Sequence, residues 1–204
     1  MELIKEACVE TKEQIDNALL HNANQIELCS RLDLGGLTPT NDLINYALSK
    51  TDHILMMVRI EDNYSIDQKG ISTLEGIIKK YVNTNIQGFV FGFLTKDNTV
   101  DAFAIKSLVK AAQSKETVFH MAFDLIEDSK GAIDELVSLG ITRILTKGGG
   151  GLAVNNLTKL KELKDYASGR IQLIVGGSVT DDNCEQIAKA TGIKRFHGRK
   201  LAYK

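Results

Sequence analysis

The sequence predicts an α/β fold, a compact TIM-type (β/α)8 barrel that forms one domain over residues 1–204. Three observations predict it. Short β-type runs alternate with helical patterns along the whole chain, eight strands can be counted, and 43% apolar residues in 204 suit one hydrophobic core. A doubly wound open sheet is the alternative, because alternation by itself does not show whether the sheet closes.

Eight segments have the length and apolar content of buried strands in a mainly parallel sheet. They cover residues 3–8, 25–29, 53–59, 87–93, 117–123, 143–146, 171–175 and 195–197. Polar or glycine-rich stretches follow most of them, as expected where a strand leaves a sheet. This count of eight favours a barrel over an open sheet.

Seven helical segments lie between the strands, with apolar residues recurring at steps of three and four. They cover residues 12–21, 42–48, 66–82, 102–113, 132–139, 157–166 and 181–190. Thr11 and Gln14 have the spacing of a capping box at the start of the first helix. Gly140 suits the position after the end of the fifth.

The chain ends soon after the eighth strand. Only residues 198–204 follow it, too few for a full helix, so the last helix is expected to be shortened or missing. The apolar backing of strands eight and one would then lie uncovered. Because exposed apolar patches often mark interfaces, this predicts a homo-oligomer, most simply a dimer.

Composition restricts the class of partner. The 25 basic and 26 acidic side chains nearly cancel, which argues against nucleic acid or an anionic membrane surface and favours a metal ion or a small anionic ligand. No apolar run approaches the roughly 20 residues that span a bilayer. Residues 1–6 lack the pattern of a secretory signal, and three cysteines form no disulfide framework. A cytoplasmic protein is expected.

Strands one and two carry the same triplet pattern, Glu6-Ala7-Cys8 and Glu27-Leu28-Cys29. Because strand side chains alternate between faces, each Glu shares a face with its Cys, and neighbouring strands lie about 4.8 Å apart. Two thiols so placed suit Cu(I) or, with further ligands, zinc. The alternative is that Cys8 and Cys29 only pack as small hydrophobes, as we expect for Cys184. Glu6 and Glu27 would then be the functional members.

Further polar residues are predicted at the carboxyl ends of strands three and five, where TIM barrels build their active sites. Arg59 could pair with Glu27 or bind a substrate anion. His120, with Asp124 four residues later, could serve as a general base or metal ligand. An internal network of ion pairs filling the barrel explains the same residues without catalysis.

Lys147 follows strand six and is a candidate Schiff-base lysine, because a desolvated barrel lysine can have a lowered pKa. It adjoins a run of four glycines, residues 148–151, where a solvated lysine is the competing interpretation. Glu6, Glu27, Arg59, His120, Asp124 and Lys147 thus form the hypothetical catalytic set.

The loops after strands seven and eight are glycine-rich and occupy the usual phosphate position of this fold. The predicted anion-binding residues are Gly176, Gly177, Ser178, Gly198 and Arg199. Tight turns from strand to helix would explain the same glycines. His197 is expected to line the same rim.

Taken together, these residues resemble the CutC family, described as copper homeostasis proteins with a TIM-barrel fold. The resemblance covers essentially the whole chain. Its carriers are Glu6-Ala7-Cys8-Val9, Ile26-Glu27-Leu28-Cys29-Ser30, Gly35-Gly36-Leu37-Thr38-Pro39-Thr40, Phe119-His120-Met121-Ala122-Phe123-Asp124, Arg143-Ile144-Leu145-Thr146, Gly176-Gly177-Ser178-Val179-Thr180-Asp181 and Phe196-His197. The Gly-Gly-Leu-Thr-Pro and His-x-Ala-Phe-Asp segments are the most specific.

The resemblance implies a cytosolic protein, often an oligomer, that handles copper, with Cys8 and Cys29 as Cu(I) ligands. The sequence indicates no organic cofactor. The chain departs from the family pattern at three sites. Residues 58–63, Val-Arg-Ile-Glu-Asp-Asn, replace Pro-Arg-Gly-Gly-Asp-Phe; Met121 replaces an arginine; and Lys147 replaces a serine. The alternative function is a TIM-barrel enzyme or binder of a small phosphorylated or carboxylated metabolite. A third is an interaction protein that uses the barrel as a scaffold.

Overall fold

Eight parallel strands form a closed barrel in the computed structural model, which describes residues 2–202. Each strand pairs with the next along the chain, and β1 also pairs with β8. The strands are β1 Ile4–Val9, β2 Gln25–Leu28, β3 Ile54–Met57, β4 Gly88–Phe91, β5 Glu116–Phe119, β6 Arg143–Thr146, β7 Gln172–Val175 and β8 Arg195–Gly198. The TIM barrel is therefore confirmed, and the doubly wound alternative is wrong.

Seven α-helices alternate with the strands over the described range. They are α1 Lys12–Leu20, α2 Asn41–Leu48, α3 Gln68–Tyr81, α4 Ala102–Ala112, α5 Ser129–Ser138, α6 Leu157–Ala167 and α7 Cys184–Thr191. Among these residues no helix is long and apolar enough to cross a bilayer. At α1, the Thr11 side chain accepts a hydrogen bond from the Gln14 backbone at 3.2 Å. The Gln14 side chain accepts from the Glu10 backbone, one residue earlier than in a standard capping box.

Apolar side chains fill two separate layers. The larger layer lies between the barrel and its helices and contains the outward-facing side chains of the strands. The smaller layer fills the inside of the barrel and includes Leu55, Met57, Val90, Val118 and Leu145. This filling makes the barrel a packed core rather than a pore.

A polar network closes the amino end of the barrel. Buried Arg143 donates to the side chain of Gln25 at 3.0 Å and forms an ion pair with Glu116. Gln25 donates to Gln87 at 2.8 Å. The barrel therefore does contain an internal charged network. It lies at the end opposite Arg59 and does not include Arg59 or His120, for which such a network was the alternative explanation.

No helix follows β8 in the part of the chain that the structure describes. The short segment after it packs back on the barrel, with Leu201 fully buried and Ala202 donating to the carboxylate of Asp181 at 3.1 Å. The outward-facing residues Ala7 and Phe196 are buried as well. The expectation of uncovered apolar backing behind strands eight and one is therefore wrong, because this segment supplies the cover within the same chain.

Several predicted elements end elsewhere than expected. The fifth strand stops at Phe119 rather than at Phe123, because His120 caps a short 3-10 helix, Met121–Leu125. The seventh helix begins at Cys184, since the Asn183 side chain accepts from the Thr180 backbone and holds a turn there. The third strand is also shorter, ending at Met57, which leaves the following arginine in a loop.

Candidate functional site

The register of β8, β1 and β2 places five polar side chains on one inward face, four of them in the strands and Cys29 directly after β2. Glu6 is paired with His197 on β8, and Cys8 is paired with Glu27 on β2. The two Glu-x-Cys triplets are therefore staggered by two residues, so that Glu27 is level with Cys8 and Cys29 lies one step closer to the carboxyl end of the barrel. Alternating side chains then carry all five groups to the inside of the barrel.

These five side chains contact one another in a buried cluster, which we call the floor cluster: Glu6, Cys8, Glu27, Cys29 and His197. The two sulfurs are 4.0 Å apart. Oε1 of Glu27 lies 3.3 Å from the Cys29 sulfur and 3.8 Å from the Cys8 sulfur. Nδ1 of His197 lies 2.7 Å from Oε1 of Glu6 and 3.8 Å from Oε2 of Glu27.

The close packing of the floor cluster shifts its acid–base equilibria. The hydrogen bond from Cys29, supported by His197 against the effect of burial, lowers the pKa of Cys8 to about 5. The contact with Cys8 and burial raise the pKa of Cys29. Burial raises the pKa of Glu27 to about 8. Burial opposes protonation of His197, but Glu27, Cys8 and Glu6 together raise its pKa well above the ordinary value.

At neutral pH these shifts favour a thiolate at Cys8 beside a protonated His197. A thiolate is both the nucleophilic form of cysteine and the form that binds metals. Ligand atoms of Cys8, Glu27 and His197 all lie within 4.8 Å of one another, close enough for one ion. The chemistry available at this floor is soft-metal binding or nucleophilic attack.

Arg59 lies in the loop after β3 and is held by the Gly-Gly-Leu-Thr-Pro segment, residues 35–39. Its Nη1 donates to the carbonyls of Leu34 and Gly36, both at 3.1 Å. The Thr38 hydroxyl accepts from the Arg59 backbone N–H at 2.9 Å. Gly36 has a φ of +94°, and a Cβ there would lie 3.2 Å from the Cys29 sulfur. This segment therefore needs glycine both to turn and to cover the floor cluster.

His120 lies at the end of β5 and is buried. Its Nδ1 accepts a hydrogen bond from the Ala122 backbone at 3.2 Å. Its ring lies 5.3 Å from that of Tyr64, which also stacks on Arg59 with 5.0 Å between guanidinium carbon and ring centre. Burial, together with the Arg59 charge, lowers the pKa of His120 to about 3. The imidazole is therefore neutral at physiological pH.

Asp124 and Lys147 lie away from this group. The Asp124 carboxylate accepts hydrogen bonds from the Thr146 hydroxyl at 2.5 Å and from the backbones of Lys147 and Gly149, both at 3.0 Å. It therefore fixes the glycine-rich loop after β6. Burial raises the pKa of Asp124 against the effect of these hydrogen bonds. Lys147 packs against the next loop, where a Cβ on Gly177 would lie 2.7 Å from its own Cβ.

The loops after β7 and β8 form one side of the barrel mouth. Gly177 has a φ of +82° and Ser178 a φ of +64°, so the chain turns sharply here. Gly198 adjoins this loop, since a Cβ on it would lie 2.6 Å from the Val179 carbonyl. Arg199 donates to the Leu32 carbonyl and so joins this side of the mouth to the loop after β2.

A cavity of about 530 Å³ connects these parts at the carboxyl end of the barrel, within the size range of small-molecule sites. Of the predicted site residues, it is lined by Cys8, Glu27, Arg59, His120, Gly177, Ser178, His197, Gly198 and Arg199. Glu6 and Cys29 lie in contact with its floor. Gly176, Asp124 and Lys147 do not line it.

Two contributions were not predicted. Tyr64 contacts both the Arg59 guanidinium and the His120 ring, and Lys200 also lines the cavity. Both residues lie in loops. The only sequence signal for Tyr64 was its position five residues after Arg59. The pairing of His197 with Glu6 was also not foreseen, because it depends on the register between the last and first strands.

Comparison with known proteins identifies the family. The model of the CutC family matches residues 3–202. The chain belongs to the CutC family. The CutC family protein of Streptococcus pyogenes is 33% identical, with 98% of this chain and all of the relative covered. The human copper homeostasis protein cutC homolog is 32% identical over 95% of this chain and 72% of its own length.

A solved CutC structure shares the whole fold. The CutC protein of Streptococcus agalactiae is 34% identical, with a TM-score of 0.92 over 97% of this chain and 99% of that chain. The two chains therefore share the fold over almost the whole length of each. The family membership inferred from the Glu-x-Cys, Gly-Gly-Leu-Thr-Pro and His-x-Ala-Phe-Asp segments is confirmed.

Proposed function

We propose that this CutC family protein acts in copper homeostasis in the cytoplasm and binds one Cu(I) ion as its cargo through Cys8 and Cys29. The human and mouse relatives carry copper homeostasis in their names. The observation that carries the proposal is the 4.0 Å separation of the two sulfurs at the floor of the cavity.

The donor set fits a soft metal ion. A metal–sulfur bond of about 2.3 Å, the zinc value, lets two sulfurs of one ion lie up to about 4.6 Å apart, so a separation of 4.0 Å requires little movement. The lowered pKa of Cys8 supplies one thiolate without cost at neutral pH. Thiolates select Cu(I) among common ions, and zinc would need Glu27 or His197 as further ligands.

Competition titration against a Cu(I) chelator, under anaerobic reducing conditions, tests this proposal. The wild-type chain should bind one equivalent. Cys8→Ser and Cys29→Ser should each weaken binding by about 100-fold or more, since even residues that only support a ligand contribute 10- to 100-fold. Cys184→Ser is the matched control, because this buried thiol lies at the start of α7 and donates to a backbone carbonyl.

Unchanged Cu(I) affinity in both Cys8→Ser and Cys29→Ser would refute the proposal. An equal loss of Cu(I) affinity in Cys184→Ser would refute it as well. A parallel titration with zinc separates the two metals. Zinc binding that depends on His197 and exceeds the Cu(I) affinity would replace copper as the cargo.

A further inference from the structure

Arg59 is a buried cation without an anionic partner among residues 2–202. Its side-chain bonds run to the carbonyls of Leu34, Gly36 and Asn63, and its one ring contact is with Tyr64. Only 3% of the residue is exposed. Because a buried charge is costly unless it is paired, such an arginine is expected where a ligand supplies the missing charge.

His120 lines the same cavity as Arg59 and carries a second unmatched group. Since Nδ1 accepts from the Ala122 backbone, the ring proton of the neutral imidazole lies on Nε2. Nε2 is buried and has no hydrogen-bond partner within the described chain. A buried donor left unmatched costs about 1–3 kcal/mol. Because His120 lines the cavity, an acceptor atom that reached Nε2 from there would remove that cost.

Both groups line the cavity of about 530 Å³, and Tyr64 contacts each of them. We propose that this corner is an oxyanion-binding site, in which Arg59 and His120 hold the carboxylate or phosphate of a small metabolite. The guanidinium supplies the charge and the Nε2–H supplies a directed hydrogen bond. Apolar Met57, Met121 and Leu145 along the cavity would contact the rest of the molecule.

This inference goes beyond copper binding and depends on different side chains. The two ligands of the copper proposal lie on β1 and directly after β2, whereas the oxyanion site lies at the ends of β3 and β5. Cys29→Ser should therefore weaken Cu(I) binding by about 100-fold or more and leave anion binding within about twofold of wild type, because Cys29 does not line the cavity. Failure of one proposal is thus distinguishable from failure of the other.

Titration of ¹⁵N-labelled, metal-free protein followed by NMR of the imidazole nitrogens tests the site. The chain has four histidines, so the His120 signals can be assigned by their loss in His120→Asn. The probes are acetate and succinate for a carboxylate, and inorganic phosphate and glycerol 3-phosphate for a phosphate. Acetamide is the neutral control, and sodium chloride matches ionic strength. We expect a saturable shift of the His120 Nε2 signal with one probe class and none with acetamide.

The variants separate a built site from general attraction of anions. Arg59→Gln should weaken binding by about tenfold or more, because a charged hydrogen bond is lost. Arg59→Lys should recover part of the affinity. Lys106→Gln, an exposed position on α4, removes the same charge far from the cavity and should change nothing.

Arg59 also supports backbone carbonyls, so His120→Asn provides an independent arm if the arginine variants do not fold. Asparagine can keep the hydrogen bond from Ala122 but lacks the Nε2–H donor, and His120→Gln restores a donor near that place. Calorimetry should show weakened binding in the first and recovery in the second. Equal response to acetamide, no saturable response to any anion, or equal weakening by Arg59→Gln and Lys106→Gln would overturn the inference.

Discussion

The unprotonated state of His120 contributes to stability in a pH-dependent way. Burial and the Arg59 charge lower its pKa in the folded chain from 6.5 to about 3. Between pH 6.5 and about 3, His120 is therefore protonated in the unfolded chain but not in the folded chain. The unfolding free energy is therefore undiminished by His120 above pH 6.5 and decreases as the pH falls from 6.5 towards 3.

On acidification from pH 7.5 to 5, we expect the unfolding free energy of the wild-type chain to decrease by about 2 kcal/mol more than that of His120→Asn. Urea unfolding of both proteins across this pH range measures the difference, and other titrating groups cancel between them. Parallel pH profiles would contradict the neutral, desolvated His120.

Residue identities at the site were largely predictable, whereas their pairings were not. Cys8, Cys29, Glu27 and His120 could be singled out because polar groups at strand ends are informative in a barrel. Arg59 was expected either to pair with Glu27 or to bind a substrate anion; the structure shows no bond to Glu27, and the guanidinium donates to backbone carbonyls. Partners depend on loop conformation, which short polar segments such as residues 60–65 do not encode by periodicity.

Two glycines in different elements give opposite predictions for the same substitution. A Cβ on Gly92, after β4, would lie 2.7 Å from Nδ1 of His120, so Gly92→Ala must displace that ring. A Cβ on Gly76, inside α3, would meet nothing within 4 Å. Helical glycine costs roughly 0.5–1 kcal/mol relative to alanine, whereas overpacking a core costs typically 1–3 kcal/mol.

We therefore expect Gly76→Ala to raise the unfolding free energy by about 0.5–1 kcal/mol and Gly92→Ala to lower it by about 1–3 kcal/mol. Chemical denaturation at pH 7.5 checks both values. The two variants differ in location rather than in chemistry, so each serves as the control for the other. A stable Gly92→Ala chain with an unshifted His120 signal would contradict the packing described for β4 and β5.

Element order was predictable and element ends were not. Alternation of apolar runs located all eight strands and seven helices in the described chain, because periodicity reports burial. The end of β5 was missed, since Phe119 and Phe123 are both buried whether or not the chain stays extended between them. The cap hydrogen bond from Ala122 to the His120 side chain and the turn bond from Phe123 to the His120 carbonyl hold the helical conformation.

The closed barrel explains why distant sequence segments form one site. Closure pairs β8 with β1, which brings His197 to Glu6 across almost the whole chain. Counting strands predicted closure, but the register that staggers the two Glu-x-Cys triplets follows from the shear of the barrel and has no local sequence signal. Among residues 2–202 no helix follows β8, so the ring of helices has a gap between α7 and α1.

The dimer was predicted from uncovered apolar residues at this gap. It stays a prediction, although the segment after β8 covers most of those residues. Leu201 and Ala202 cover the strands, and the remaining groove lies between the end of α1 and the loop before α7, where Lys5, Asp181, Asp182 and Lys200 are among the lining residues. Its exposed apolar side chain is Leu20, at 75% exposure. We place the contact between two copies there, because α1 and α7 each lack a neighbouring helix on that side.

Analytical ultracentrifugation over a range of concentrations should therefore give the mass of two chains of 22.4 kDa each. Leu20→Lys should shift the equilibrium towards single chains, because a charge would be buried in the contact. Phe103→Lys on α4 is the matched control, since Phe103 is also exposed, at 62%, but lies across the helical ring from the gap. A single-chain mass at every concentration would refute the dimer, and dissociation by Phe103→Lys alone would move the contact to the opposite side of the barrel.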